Sequence, residues 1–333
     1  MSSIRLIFVT VAAFASTAGA LSYLCYVDDA RQAPVSILLV AGELDEQRDL
    51  LLEGASAAAS DHGVNLQVES LTEAFGARAR FSTLKDLSAC DGVVFAADCD
   101  ESLAVVDQIA ATVKTVTVGR RAPASKRLCH VEAGAYHLGR MLAQTAREAL
   151  PEGGKIALVL GAERDSDQSN CLAAFKMVFD HAALIAAPGT AAPTYEFIEC
   201  EVSPGDRITG IRDALASARD AQCVVDFTGG SATELVESVR ELGPGTVRLI
   251  TLDQSGAALA AIEAGAVYAA IGHDPFAYGY HAVARLASMC RCGALELPVP
   301  GRGGVNVPPV CVRRENVAEF RARLQPQKVS PTA

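Results

Sequence analysis

Short apolar runs that alternate with longer amphipathic runs are the feature of this sequence that most limits its fold. The first apolar run is VSILLVAG, and the amphipathic run EQRDLLLEGASAAASDHG follows it closely. Apolar runs of this length predict strands that are buried on both faces, and the amphipathic runs predict helices. Strands that helices cover on both faces belong to a parallel sheet, so the alternation predicts an α/β fold.

The alternation continues through both halves of the chain. Predicted strands include VNLQVES, GVVFAAD and KTVTVGR in the first half, and GKIALVLG, TYEFIECEV, QCVVDFTGG and TVRLITLD in the second. A chain of 333 residues is longer than one hydrophobic core normally serves. We therefore predict two doubly wound lobes, each with its own parallel sheet, and a ligand outside the carboxyl ends of the strands.

The first 33 residues predict export from the cytoplasm. Arg5 precedes an uncharged run over residues 6–27, and a small-residue pattern within that run ends at Ala20. This arrangement is typical of a signal peptide cleaved after Ala20, although the uncut run is also just long enough to span a bilayer as an anchor. A lipid-bearing Cys25 is a third alternative. In each case the rest of the chain lies outside the cytoplasm.

Charge and cysteine spacing exclude several classes of protein. The formal net charge of −10 argues against binding to nucleic acid, which requires a basic surface. The ten cysteines are scattered and form no CxxC pair, so we predict no metal site and no cofactor. Export permits disulfides, but several cysteines lie in apolar runs, where free cysteine behaves as a small hydrophobic residue.

The sequence carries no recognisable catalytic motif. It has no phosphate-binding Gly-Lys-Ser/Thr loop and no Gly-x-Ser-x-Gly elbow, and its six histidines are spread out. The Gly-rich segments GPGTVR and GRGGVN do not open helices after strands, so we interpret them as turns. We therefore predict a protein that is not an enzyme and has no catalytic residues.

Two segments of the C-terminal third resemble a known family. They are RLITLDQSGAALAAIEAGAVYAAIGHDPFAYGYHAV, residues 248–283, and PPVCVRRENVAEF, residues 308–320. The order of strand, helix, short strand, Asp-Pro-aromatic and Glu-Asn-Val helix resembles the type I periplasmic sugar-binding proteins of ABC transporters, in the ribose- and galactose-binding group. Lac-repressor-like regulators share this fold in their effector domains, but an export segment stands where such a regulator has its helix-turn-helix.

The resemblance implies a specific division of the chain. Members of the family have two discontinuous lobes of parallel sheet, joined by three crossovers that act as a hinge. Carried over, the division is a signal or anchor segment with its linker at 1–33, an N-terminal lobe at 34–134 and 274–303, a C-terminal lobe at 135–273 and 304–322, and a flexible tail at 323–333.

The resemblance also implies four ligand-binding residues at strand ends. Asp253 matches an aspartate that grips sugar hydroxyls in the family, and a helix cap is the alternative role for it. His273 stands where the family has Gln or Asn. Arg120 matches one arginine of the family, although its usual Asp neighbour is replaced by Gly119, and Thr228 matches an Asn.

Further candidates for ligand contact follow from position alone. Glu43 and Asp45 are the polar groups in the loop after the first strand, where the family has Asn and aromatic residues. Asp98 ends the GVVFAAD strand, and Phe227 is available to stack on a sugar ring, although phenylalanines at strand ends more often belong to the core.

These observations predict an extracytoplasmic solute-binding protein. We expect it to be a monomer that captures a small polar ligand, in the first place a monosaccharide, and delivers it to an ABC transporter permease by hinge closure. The acidic candidates also suit an amine or a polyol. The alternative is a membrane-anchored sensory or interaction domain with altered or lost ligand binding, which would dock on a membrane receptor.

Overall fold

The structure divides into two compact units. The computed structural model describes residues 34–42, 46–71, 87–97, 106–119, 125–184, 193–203, 207–241, 247–292 and 298–324. The chain passes between the units at Val131/Glu132, Pro275/Phe276 and Val305/Asn306. The lobe boundaries predicted from the resemblance are 134/135, 273/274 and 303/304.

The first unit contains most of the elements before residue 132. They are β1 (Val35–Gly42), α1 (Glu46–Asp61), β2 (Val64–Leu71), β3 (Gly92–Ala97), β4 (Lys114–Gly119) and β5 (Cys129–Glu132). Short helical turns also lie at Leu87–Ala89 and at residues 106–110.

The second unit repeats this arrangement, and the chain then returns to both units. The elements of the second unit are α2 (Ala135–Ala149), β6 (Gly153–Gly161), α3 (Ser166–Leu184), β7 (Thr194–Val202), α4 (Arg207–Leu215), β8 (Cys223–Asp226), α5 (Ala232–Arg240), β9 (Arg248–Thr251), α6 (Gly256–Glu263) and β10 (Ala269–Gly272). The returning elements are α7 (Pro275–Arg291), β11 (Gly303–Asn306), β12 (Val310–Val312) and α8 (Val317–Leu324).

Each unit is built on a six-stranded sheet with the same strand order. The first sheet runs β11-β5-β4-β3-β1-β2, and the second runs β12-β10-β9-β8-β6-β7. The pairs among β1 to β5 are parallel, as are the pairs among β6 to β10, whereas β12 pairs with β10 in the antiparallel direction. The predicted pair of doubly wound parallel sheets is confirmed.

Two strands differ from the expectation from sequence. Residues 303–306 of the GRGGVN segment form β11 beside β5, so the interpretation of this segment as a turn throughout is wrong. We also predicted no strand at CHVE, which forms β5. Both strands have only four residues, too few for an alternation of apolar and polar side chains to be recognised. Pairing with a neighbouring strand decides their conformation.

An aromatic cluster forms part of the core of the second unit. The rings of Phe175 and Phe179 lie 5.1 Å apart, and Phe227 meets Phe175 edge-on at 5.4 Å. Helices α2 and α3 pack closely because Gly139 has no side chain. A Cβ atom at that position would overlap the carbonyl oxygen of Cys171.

The first unit uses glycines in the same way where α7 crosses α1. A Cβ atom on Gly54 would overlap the carbonyl oxygen of Phe276, and one on Gly279 would overlap that of Leu51. The two helices therefore approach backbone to backbone. This contact brings a segment from the C-terminal third into a unit that otherwise comes from the N-terminal part of the chain.

All eight cysteines in the described part of the chain are free thiols, and four of them are buried: Cys129, Cys171, Cys200 and Cys223. Burial raises the pKa of Cys171 and of Cys223 to about 12. Among the described helices, none is long and apolar enough to cross a membrane. The predicted signal or anchor segment lies outside the described residues.

Replacement of Gly139 by alanine should destabilise the second unit. The added methyl group forces α2 and α3 apart, and overpacking of this kind costs about 1–3 kcal/mol of unfolding free energy. Gly256→Ala is the matched control, because a Cβ atom there meets nothing within 4 Å. Urea unfolding of both variants measures the difference, and equal stability of the two would show that the helices tolerate a wider spacing.

Candidate ligand-binding site

Polar residues follow three adjacent parallel strands of the second unit. Thr228 follows β8, Asp253 follows β9 and His273 follows β10. Because parallel strands end at the same edge of a sheet, the fold places three of the predicted ligand-binding residues on one edge.

A chain of hydrogen bonds links Thr228 to charged groups on both sides. The Thr228 hydroxyl donates to Oδ1 of Asp226 at 2.6 Å and accepts from Nη2 of Arg207 at 2.5 Å. Nε of Arg207 lies 3.2 Å from a carboxylate oxygen of Glu234. The Thr228 hydroxyl therefore retains one acceptor lone pair, while the half-buried Arg207 guanidinium retains further donors.

Asp226 is a fully buried carboxyl at the base of this edge. The backbone N–H of Thr228 donates to its Oδ1 at 2.9 Å, and the Thr251 hydroxyl lies 3.3 Å from its Oδ2. Burial raises the pKa of Asp226, while these hydrogen bonds and the positive charge of Arg207 lower it less than burial raises it. The charged Asp226 carboxylate is therefore less stable at this buried position than it would be in water, as desolvation predicts.

Asp253 connects the starts of two helices. Its Oδ2 accepts from the N–H of Ala232, at the start of α5, at 2.8 Å, and from the hydroxyl of Ser255 at 3.1 Å. Its Oδ1 accepts from the N–H of Ser255 at 2.8 Å. Ser255, not Asp253, is the N-cap of α6, since its hydroxyl accepts from Ala258. A carboxylate has about four acceptor positions, so Asp253 retains about one for a ligand.

His273 is held through its backbone and exposes its side chain. Its N–H donates to Oε1 of Gln254 at 3.0 Å. Neighbouring protein atoms lower the pKa of the imidazole by desolvation, and the charge of Glu132 opposes this effect. A neutral imidazole carries one donor nitrogen and one acceptor nitrogen.

Three polar residues of this edge were not predicted from the sequence: Arg207, Gln168 and Gln254. Nε2 of Gln168 donates to the carbonyl of Phe227 at 3.1 Å. Gln254 is only 7% exposed and lies against Gly272, where a Cβ atom would overlap its amide. The one sequence signal for Gln254 was its place beside Asp253. Nothing in the sequence links Arg207, twenty-one residues away, to Thr228.

Phe227 is a correction to the predicted site. Its side chain is only 4% exposed and its ring belongs to the aromatic core around Phe175. Phe227 is the first residue after β8, and its ring packs in the same core cluster as Val225 of that strand. A sugar cannot stack on a ring that the core already covers.

The other four predicted residues, Glu43, Asp45, Asp98 and Arg120, lie outside the described residues, so their roles stay predictions. Within the described ranges, no group of three or more His, Cys, Asp or Glu side chains could hold a metal ion.

A family model decides which proteins this chain is related to. The model for the periplasmic binding protein domain matches residues 38–294, more than half of the chain. The chain belongs to this family. The resemblance inferred from the C-terminal third is therefore confirmed. Periplasmic binding proteins act outside the cytoplasm and are not enzymes, and both statements apply to this member.

Solved structures of similar fold have low sequence identity to this periplasmic binding protein. A periplasmic ribose ABC transporter protein from Conexibacter woesei is 16% identical with a TM-score of 0.64, covering 87% of this chain and 95% of its own. The arabinose-binding protein AraP from Geobacillus stearothermophilus is 17% identical with a TM-score of 0.64, covering 86% and 99%. A XylFII–LytSN complex is 15% identical with a TM-score of 0.66, covering 85% and 99%.

At these identities the likeness shows the fold alone. No curated protein sequence matches this chain significantly.

Asp226→Asn should change how the stability of this binding protein depends on pH. A carboxyl whose pKa is raised by folding stabilises the native state below its unfolded pKa, and that contribution is lost as pH rises through the folded pKa. Asparagine does not titrate, and its oxygen can still accept from Thr228. The variant should therefore gain stability relative to the unmodified protein as pH rises from about 4 towards 7.

Urea unfolding at several pH values measures this difference. A stability difference between the two proteins that is constant over this range would show that Asp226 does not titrate with a raised pKa. Asp213→Asn, on the exposed face of α4, controls for the change of net charge.

Proposed function

We propose that this protein is an extracytoplasmic solute-binding protein that captures a monosaccharide at the strand-end edge formed by Thr228, Asp253 and His273. The observation that carries the proposal is the set of hydrogen bonds that already hold these three residues. The Thr228 hydroxyl and the Asp253 carboxylate are held by bonds within their own unit and each retain about one acceptor position, while Gln254 fixes the backbone of His273. Separate donors and acceptors of this kind suit a ligand with several hydroxyl groups.

The related structures favour a pentose or hexose as the ligand. The names of two of them refer to ribose and arabinose. Asp253 and Thr228 each retain about one acceptor position, and hydroxyl donors of a sugar can fill both. The predicted partners of the first lobe, Glu43, Asp45, Asp98 and Arg120, would complete the grip, and hinge closure would then present the loaded protein to an ABC permease.

A second candidate function is that of an anchored interaction domain. The observation that favours it is the solved complex of XylFII with LytSN, a protein of this fold bound to another protein. The uncharged run over residues 6–27 would then stay in the mature chain as an anchor. Cleavage after Ala20 favours the transporter component instead, and intact mass measurement of the mature protein distinguishes the two.

Isothermal titration calorimetry with D-ribose, L-arabinose, D-xylose, D-galactose and myo-inositol tests the proposed function. We expect one of these to bind, and Asp253→Asn to raise its Kd about tenfold or more, because a hydrogen bond to a charged group is worth about 1.5–3 kcal/mol. The variant also loses an acceptor for Ala232, so its unfolding free energy should fall by about 0.5–2 kcal/mol.

The binding measurement is therefore made well below the melting temperature of both proteins. Asp213→Asn is the matched control and should leave the Kd unchanged. A sugar that binds Asp253→Asn as tightly as the unmodified protein would remove Asp253 from the site. No binding of any of the five by well-folded protein would contradict the sugar-binding proposal and favour the anchored interaction domain.

A further inference from the structure

Two cysteines of the first unit are distant in sequence, and one of them contacts the backbone beside the other. Cys90 stands just before β3, and Cys290 lies in the last turn of α7. The thiol of Cys290 donates to the carbonyl oxygen of Asp91, the residue that directly follows Cys90, over 3.3 Å. Both cysteines are free and half-buried, so neither sulfur is sealed in the core.

The position of Cys290 is fixed by contacts on either side. One turn earlier on α7, Leu286 packs against Gly92, where a Cβ atom would lie only 2.8 Å from the leucine side chain. The amino group of Lys114 donates to the carbonyl oxygens of Met289 at 3.0 Å and of Cys290 at 3.4 Å. The end of α7 is therefore held against the amino ends of β3 and β4.

The two thiols also interact electrostatically. Burial raises the pKa of Cys290 to about 11, and the charges of Asp91 and of Cys90 contribute to this rise. Burial and the charge of Asp91 raise the pKa of Cys90 as well. Both groups are thus protonated near neutral pH, which preserves them as thiols until an oxidant meets the small thiolate fraction.

We propose that Cys90 and Cys290 form a disulfide bond when the protein reaches its oxidising compartment. The family acts outside the cytoplasm, where disulfides form and persist. The bond would join the two separate chain segments that build the first unit, in addition to the packing and the hydrogen bonds between them. It is independent of which ligand the protein binds.

The oxidant is a disulfide such as oxidised glutathione. The thiolate of one cysteine attacks a sulfur of the oxidant and releases one glutathione thiolate, which takes up a proton. The thiolate of the second cysteine then attacks the protein sulfur of this mixed disulfide and releases the second glutathione. Two protein thiols become one disulfide, and one oxidised glutathione becomes two reduced molecules. Because thiolates attack, the reaction should accelerate as pH rises towards 9.

Peptide mapping of the full chain tests the proposal directly. The reduced protein is treated with oxidised glutathione, remaining thiols are alkylated, and the chain is cut with trypsin and an enzyme that cleaves before aspartate. These cuts release Cys90 in residues 86–90, Cys290 in residues 286–291 and Cys292 in a separate peptide. We expect peptides 86–90 and 286–291 to be joined, with a loss of 2 Da that reduction reverses.

Three serine variants provide the matched comparison. Cys90→Ser and Cys290→Ser should each abolish the cross-link and the rise in melting temperature that oxidation produces, whereas Cys292→Ser should retain both. Urea unfolding of the reduced variants checks that each still folds. Peptide mapping of the unmodified protein tests the proposal even if a serine variant does not fold. A link from Cys90 to Cys292, a link from either cysteine to any other, or both cysteines recovered as alkylated thiols would overturn the proposal.

Discussion

Parallel pairing of β8, β9 and β10 is the constraint on which the candidate site depends. In a parallel sheet every strand ends at the same edge, so residues far apart in sequence become neighbours there. Thr228, Asp253 and His273 are separated by twenty or more residues, yet each lies within two residues of the end of one of these three strands. The helices between the strands supply the N-termini that hold the polar groups in place, as the bond from Ala232 to Asp253 shows.

The polar groups of this edge are largely occupied by one another. Asp253 binds the starts of two helices, and Thr228 bridges the buried Asp226 and Arg207. Such bonding fixes the side chains in advance, so that a ligand would not have to order them on binding. It also limits how many bonds each can offer. A site of this kind favours a small ligand whose hydroxyls meet a few well-placed groups over one that must be gripped at every oxygen.

The first unit depends on close contact between distant segments of the chain. Gly54 and Gly279 allow α1 and α7 to meet backbone to backbone, and Lys114 holds the end of α7. Segments this far apart in sequence lose much chain entropy when they meet, because the loop between them is long. A covalent link between Cys90 and Cys290 would reduce that loss by restricting the unfolded chain.

Local patterns in the sequence determined the class of fold, most of the helices and strands, and the residues that follow β8 to β10. They could do so because burial on both faces leaves a continuous apolar run, and because a strand end is visible as the point where that run stops. Tertiary structure decided the rest. Pairing with neighbouring strands made β5 and β11 strands. Packing of the core buried the ring of Phe227, and the approach of α4 to β8 brought Arg207 to Thr228. These outcomes depend on contacts between residues far apart in the chain, and no local pattern records such contacts.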